Sequence, residues 1–451
     1  MIHVPRFAFK RILILCLILV PLVVVIHRKP DLSLKNLRWR ETSTEDNSDV
    51  AEDTLKSPEE LDQLMSKLET PLVIEAVDYG KNDYKAAFNE RMELLRKTFA
   101  EPITEPKSKN LVRPYDSLAG TASATILCLT RNQDLSDIVT SIQQLEEQFN
   151  NQFGYPYTFL NDEEFSDHFK NEITRLLPID REVHFGKIDP EMWDMPDSID
   201  PEVFKSKMEQ LEDVQHANKA SYHNMCRFYS RSFYHHPLLA KYKYIWRVEP
   251  NVNFYCKINY DIFQFMEHNN KIYGFVLNLY DSPESVKSLW KSTMNFVKKH
   301  PQYLHPNGSY EWLKDNVQKP QNYEITGGYS TCHFWTNFEI INLDFLRSKP
   351  YEDYMNFLES EKGFYYERWG DAPVRSLALA LFADKSRIHW FRDIGYQHFP
   401  YTNCPKSPAG SDRCNGNCQP GSFAPWPSLR SENCLPVWLE HIMTQEELES
   451  Y

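Results

Sequence analysis

The chain has 451 residues, 41% hydrophobic and 25% charged, which gives it room for one large or two ordinary domains with an ample core. Its formal net charge of −13 argues against nucleic-acid binding. Much of that net charge lies in residues 30–110, so it speaks for solubility and says little about a site.

Residues 1–11 carry Arg6, Lys10 and Arg11, and residues 12–26 form an uninterrupted apolar run closed by His27-Arg-Lys29. The run is short of the about 20 residues that cross a bilayer core, but the apolar residues between Phe7 and Phe9 and snorkelling Lys10 and Arg11 extend it. No small-residue cleavage site follows Ile26, so an uncleaved anchor over residues 12–29 is expected rather than a signal peptide. Arg28, Lys29, Lys35, Arg38 and Arg40 rival the N-terminal cations, and charge alone leaves the topology open. Residues 30–110 are expected to be a stem: residues 41–62 hold nine acidic side chains against one lysine, too polar to offset the entropy of ordering. One amphipathic helix is expected over residues 83–99, where Ala87, Met92, Leu95 and Phe99 recur at helical spacing.

With Cys16 set aside, eight cysteines remain, and Cys404, Cys414, Cys418 and Cys434 crowd the C-terminus. Cys414-Asn-Gly-Asn-Cys418 could be half of a zinc site, but no second close pair or His-x3-His accompanies it, and disulfides suit a chain with a secretory anchor. Asn307-Gly-Ser309 is the only N-glycosylation sequon.

From residue 121 strands and helices alternate. An apolar run at residues 124–130 leads into a helix carrying Leu135, Ile138, Ile142 and Leu145. Strands at residues 155–160 and 182–188 follow, and a helix carrying Tyr222, Cys226 and Tyr229 leads to the strand at residues 243–249. This succession implies an α/β fold with a mixed, largely parallel sheet. The last strand is rich in β-formers, Pro250 stops its ladder, and Glu249 is left at its C-terminal end, where open α/β sheets place ligands. The first strand ends at Thr130-Arg-Asn132. No GxGxxG or GxxxxGK[ST] follows any strand, so a bound nucleotide needs other grips; Arg131 and Arg247, taken as exposed strand-end cations, are candidates for phosphate. Farther on, carboxylates recur among aromatic residues: Glu339, Glu367 and Asp371, the last also placed to cap an apolar helix over residues 372–382. His398 follows a late strand. Aromatic rings beside carboxylates suit a saccharide site.

The motifs Tyr222-His-Asn-Met-Cys-Arg-Phe228, Trp246-Arg-Val-Glu-Pro250, Cys332-His-Phe-Trp-Thr-Asn-Phe-Glu339, Phe364-Tyr-Tyr-Glu-Arg-Trp-Gly-Asp-Ala-Pro373 and Tyr401-Thr-Asn-Cys-Pro405 are long, aromatic and collinear. Across residues 110–440 the chain resembles the fungal Golgi α-1,2-mannosyltransferases of glycosyltransferase family 15. The resemblance implies a type II Golgi membrane protein with a cytoplasmic tail at residues 1–11 and a lumenal GT-A catalytic domain at residues 111–451. It implies GDP-mannose as donor, a mannose-terminated glycan as acceptor, Mn2+ as cofactor and retention of configuration. The family's metal-binding carboxylate falls on Glu249, its metal-associated histidine on His398, its proposed nucleophile on Glu339 and an acceptor-site tyrosine on Tyr222. Asn251 departs from the Glu-Pro-Asp of many members, and residues 324–330 match poorly. A branch that transfers mannosylphosphate is therefore an alternative.

Overall fold

The computed structural model describes residues 56–71, 83–108, 111–114, 120–415 and 417–451. The expected anchor and the cytoplasmic tail lie outside the described residues. No helix among the described residues is long and apolar enough to cross a membrane.

Two helices fall inside the segment expected to be a stem: α1 (Pro58–Glu69), opened by a capping box on Ser57, and α2 (Asp83–Thr98), close to the amphipathic helix expected there. Both belong to one compact unit with the rest of the described residues. Leu64, Leu68 and Leu95 are buried in the main core. Arg91 forks onto buried Asp315 with contacts of 2.9 and 2.6 Å. Burial alone would raise the Asp315 carboxyl, but His441 and Arg91 outweigh it and hold it at about 2. The acidity of residues 41–62 disguised the i, i+4 pair Leu64 and Leu68, which needs a partner surface to be recognised as core.

Strands β1 (Ala124–Leu129), β2 (Tyr157–Asn161), β3 (Val183–Lys187) and β4 (Tyr244–Arg247) alternate with α3 (Leu135–Leu145), α4 (Asp167–Leu176) and α5 (Ala220–Arg231). Beyond β4 come β5 (Val252–Phe254), β6 (Tyr273–Phe275), β7 (Asn278–Tyr280), β8 (Cys332–Phe334), β9 (Glu339–Asn342), helix α6 (Asp371–Phe382), β10 (Ile388–Trp390), β11 (Tyr396–His398), β12 (Tyr401–Asn403) and helix α7 (Leu435–His441). Seven strands form the main sheet in the order β10-β6-β9-β4-β1-β2-β3. Every pair is parallel except those of β9, which runs antiparallel between β4 and β6. Residues 273–280 divide between two sheets: β6 stays in the main sheet, whereas β7 pairs with β8.

The buried strand β4 is the centre of this arrangement. Its side chains alternate between faces, with Ile245 in one core cluster and Trp246 in the other. Arg247 therefore shares the face of Ile245. On neighbouring β9, Ile341 lies on that same face, so Glu339 does too, directly opposite Arg247 in the antiparallel register. Beside the sheet's C-terminal edge, β5, β11 and β12 make a small antiparallel sheet in which His398 pairs with Val252.

Disulfides join Cys256 to Cys414, Cys332 to Cys434 and Cys404 to Cys418. Cys414 and Cys418 thus bond to different partners, which excludes the half zinc site.

Truncation to residue 56 is expected to leave thermal stability nearly unchanged. Arg91→Ala, which strands the Asp315 charge, should cost about 3 to 5 kcal/mol by denaturant titration. A loss under about 1 kcal/mol would show that α2 is a dispensable cover.

Candidate functional site

The site is built around a buried cation. Arg247 is 3% exposed, contrary to the expectation of a surface arginine. Its Nη1 donates to Asp371 Oδ2 at 2.6 Å and its Nε donates to Glu249 Oε1 at 2.8 Å, with Nη2 also on Glu249. Its guanidinium lies 3.5 Å from the centroid of the Tyr229 ring on α5. Desolvation opposes the buried charge, but Glu249, Tyr229 and Asp371 overcome it and raise the guanidinium pKa further. Asp371 does not cap α6, where Gly370 is the N-cap and no side chain caps. It instead accepts from Arg247 and from Thr336 Oγ1 at 2.7 Å. Burial would raise Asp371, yet Arg247 and the Thr336 hydroxyl hold it below the ordinary carboxylate range.

Glu249 follows β4, and its carboxylate is 23% exposed, so Arg247 ties it down while leaving it accessible. Pro250 and Asn251 turn the chain into β5. Asn251 adopts φ +61°, in the left-handed region that asparagine tolerates, and its Nδ2 donates to Asp137 Oδ2 on α3 at 2.9 Å. An aspartate at that position would face Asp137 with a like charge, so the amide at residue 251 is a local structural choice. The β5–β11 pairing brings His398 alongside this turn. Its Nδ1 is buried without a hydrogen-bond partner, and its ring meets Trp335 edge-on at 5.1 Å. Burial lowers the imidazole pKa and Glu249 raises it, with a net shift downward. A neutral imidazole with an orphaned nitrogen beside an accessible carboxylate fits a divalent cation. The described residues contain no cluster of three or more His, Cys, Asp or Glu able to hold a metal, so phosphate or water oxygens must complete any coordination.

Glu339 is fully buried. Arg368 is engaged elsewhere, donating to Asp281 Oδ1 at 2.8 Å. Arg375 of α6 approaches Glu339 instead, at 3.5 Å, while its other nitrogens hold the Tyr351 hydroxyl and the Tyr229 carbonyl. Both Glu339 oxygens are buried without a hydrogen-bond donor. Burial raises its carboxyl above the ordinary range, with Arg375 and Arg247 pulling the other way. An acid with a purely structural role would be saturated with donors, and an undersatisfied one needs a reason.

Tyr222, half-buried on α5, receives a 3.4 Å contact from Arg368 Nη1 and lies against His216. Burial, followed by the neighbouring Cys226, pushes its phenol up, so it remains a hydrogen-bond donor. Arg131 is 62% exposed and is paired with Asp134 at 2.8 Å, apart from the Arg247 cluster. Glu367 accepts from the Ser288 backbone at 3.0 Å and from Trp369 Nε1 at 2.8 Å, a structural role. Asn307 is exposed, with its Nδ2 on Asp384 at 2.8 Å.

Sequence reasoning did not single out Tyr229, Thr336 or Arg375, which read as ordinary helix and loop residues until α5 and α6 are packed on β4. It also missed two buried polar atoms without partners, Thr130 Oγ1 and Asn161 Nδ2, at the C-terminal ends of adjacent β1 and β2. Together with Glu249 they line the edge where such sheets bind ligands.

Residues 79–443 match the family model described as glycolipid 2-alpha-mannosyltransferase. The chain is 63% identical over 395 residues to the probable mannosyltransferase KTR4 of Saccharomyces cerevisiae, covering 87% of this chain and 84% of that protein. The crystal structure of that mannosyltransferase in complex with GDP aligns with a TM-score of 0.85 at 62% identity, covering 88% of this chain and 100% of the other. Core-mannan synthase A of Aspergillus fumigatus, in its Mn/GDP form, aligns with a TM-score of 0.73 at 42% identity, covering 76% and 92%. The O-glycoside alpha-1,2-mannosyltransferase omh1 of Schizosaccharomyces pombe is 41% identical over 300 residues, 66% of this chain and 74% of that protein.

Burial lowers the pKa of His223, His333, His389 and His398 in the fold. The unfolded chain then binds protons that the folded chain refuses, so the histidines cost nothing above about pH 6.5 and remove stability as pH falls below it. The melting temperature should be lower at pH 5.5 than at pH 7.5, with a shallower dependence in His389→Gln. Equal slopes in the two proteins would contradict the assignment.

Proposed function

Since the chain belongs to the glycolipid 2-alpha-mannosyltransferase family, we propose that it transfers mannose from GDP-mannose to a mannose hydroxyl of a glycan, forming an α-1,2 linkage with retention of configuration. The observation that carries the reading is the pairing of accessible Glu249 with orphaned His398 at the C-terminal edge of β4. The unpartnered Thr130 and Asn161 side chains on the same edge suit a polar nucleotide. The relatives' names describe mannose transfer, so the mannosylphosphate alternative is set aside.

Each residue takes a role from its surroundings. Glu249 and His398 are the ligands this chain offers to Mn2+, which when bound neutralises the charge that develops on a diphosphate leaving group. Arg247 holds Glu249 in place and carries positive charge to the edge of the diphosphate region, while Asp371 fixes Arg247 from the other side. Arg131, near the end of β1, is placed to reach the nucleotide once it leaves Asp134. Tyr222, kept as a phenol, orients the acceptor hydroxyl. Glu339 is the carboxylate that meets the anomeric carbon on the face away from the leaving group; a pair of donors too few leaves it available for that charge.

The same reading places residues 12–29 as a type II anchor in the Golgi membrane, with the catalytic part in the lumen. The three disulfides suit such an oxidising compartment, and Asn307 is an exposed acceptor for a glycan there.

With α-mannobiose as acceptor, the product should gain one hexose and no phosphorus by mass and phosphorus NMR. Glu249→Gln and His398→Ala should each raise the Mn2+ concentration required about 10- to 100-fold or abolish turnover. Normal metal dependence in both would mean the metal is elsewhere. Glu339→Gln should lower kcat at least about 100-fold while GDP affinity stays within about threefold, because the lost interaction belongs to the transition state. A lowered melting temperature with near-normal kcat would make Glu339 a structural counterion of Arg375.

A further inference from the structure

A groove of 1110 Å3 lies between α2 and the chain around β11, β12 and the segment that follows. Its walls carry aromatic rings, Phe99, Phe399 and Phe423, interleaved with the polar residues Asn89, Gln419 and Arg430. Neither Glu249, His398 nor Tyr222 lines it. Packed rings nonetheless link its wall to the site. Rings step from His398 to Trp335 at 5.1 Å, from Trp335 to Tyr401 at 5.2 Å, and from Tyr401 to Phe423 at 5.1 Å, and Phe423 is in the groove wall. Phe399 is the residue after His398.

At the rim, Phe399 and Trp426 are 64% and 51% exposed, the two aromatic members among the exposed large hydrophobic residues described. Their rings meet edge-on, with centroids 5.5 Å apart. Leaving two large rings in water costs hydrophobic free energy, and a pair of them beside a site marks a binding surface. The volume exceeds the range of about 300 to 1,000 Å3 usual for small-molecule sites, so the fitting ligand is extended. Rings set among amides and a guanidinium match a chain of sugar units, whose rings have an apolar C–H face and a rim of hydroxyls. An amphipathic peptide helix would instead want a continuous apolar floor.

We propose that this groove binds the sugar units of an oligomannose acceptor beyond the one that receives mannose, with Phe399 and Trp426 as stacking platforms. The inference rests on the mannosyl-transfer reading and adds a determinant of acceptor length. It also gives α2 a purpose beyond packing, since Asn89 and Arg96 line one wall.

The test has a donor-free arm and a turnover arm. Calorimetric titration with linear α-linked mannotetraose, without GDP-mannose, is compared for the unmodified protein, Phe399→Ala, Trp426→Ala and Ile179→Ala, an exposed apolar residue outside the groove. Both aromatic variants should bind the tetraose about tenfold more weakly, while Ile179→Ala binds normally. In turnover, the preference for mannotetraose over methyl α-mannoside, as a ratio of kcat/KM values, should fall by a similar factor in the aromatic variants. Because both rings are exposed, unchanged melting temperatures are expected to accompany these losses. Unaltered tetraose affinity and an unaltered ratio in both variants would overturn the groove. If no acceptor of any length receives mannose, the transfer reading fails, and the titration still decides whether the groove binds mannose chains.

Discussion

A buried guanidinium is the constraint on which the site depends. Placing Arg247 in the middle of the sheet costs several kcal/mol in lost hydration, and the cost is offset only because charges and a π face converge on it. Glu249 comes from the same strand, Asp371 from α6 and Tyr229 from α5. Three elements distant in sequence are thereby fixed relative to one another. A guanidinium suits this task because its planar fork serves two carboxylates and stacks at the same time, which a lysine could not do. The same geometry explains why Glu249 is both immobile and accessible: Arg247 takes one oxygen, and the strand end gives the carboxylate its opening to solvent.

A second arginine completes the electrostatics. Arg375 is buried behind Glu339, and together with Arg247 it sets two cations against Glu249, Asp371 and Glu339. The net charge of this cluster is 2 − 3 = −1 with all groups ionised, which suits attraction of a divalent cation more than of a bare diphosphate. A divalent cation and a diphosphate would therefore be coupled by charge here, each making the other's arrival less costly.

Much of this was legible in the sequence because it is local. Apolar runs ending at Thr130 and Glu249 marked β1 and β4, and Pro250 marked the stop. Helix periodicity marked α3, α5 and α6. What escaped were relations between distant segments. Arg247 looked like a surface cation because nothing near it in sequence reveals Tyr229 or Asp371 as its lining. Asp371 looked like a cap because aspartates before helices usually are; its partner arrives from another strand. Nothing near Glu339 in sequence shows its counterion: Arg368 turns to Asp281, while Arg375, one helical turn into α6, faces the acid. Leu64 and Leu68 escaped for the same reason, since they are core residues only against a surface supplied by residues far along the chain. Asn251, read as a departure from the family pattern, is a turn residue in the left-handed region held by Asp137.

The central claim is that Glu249 and His398 face one divalent ion that also meets the diphosphate. Electron–nuclear double resonance of Mn2+ bound to the protein with GDP tests it directly. The account predicts couplings to an imidazole nitrogen and to phosphorus in the same spectrum, with the nitrogen coupling absent when His398 is replaced. A spectrum with phosphorus coupling and no nitrogen coupling in the unmodified protein would contradict it.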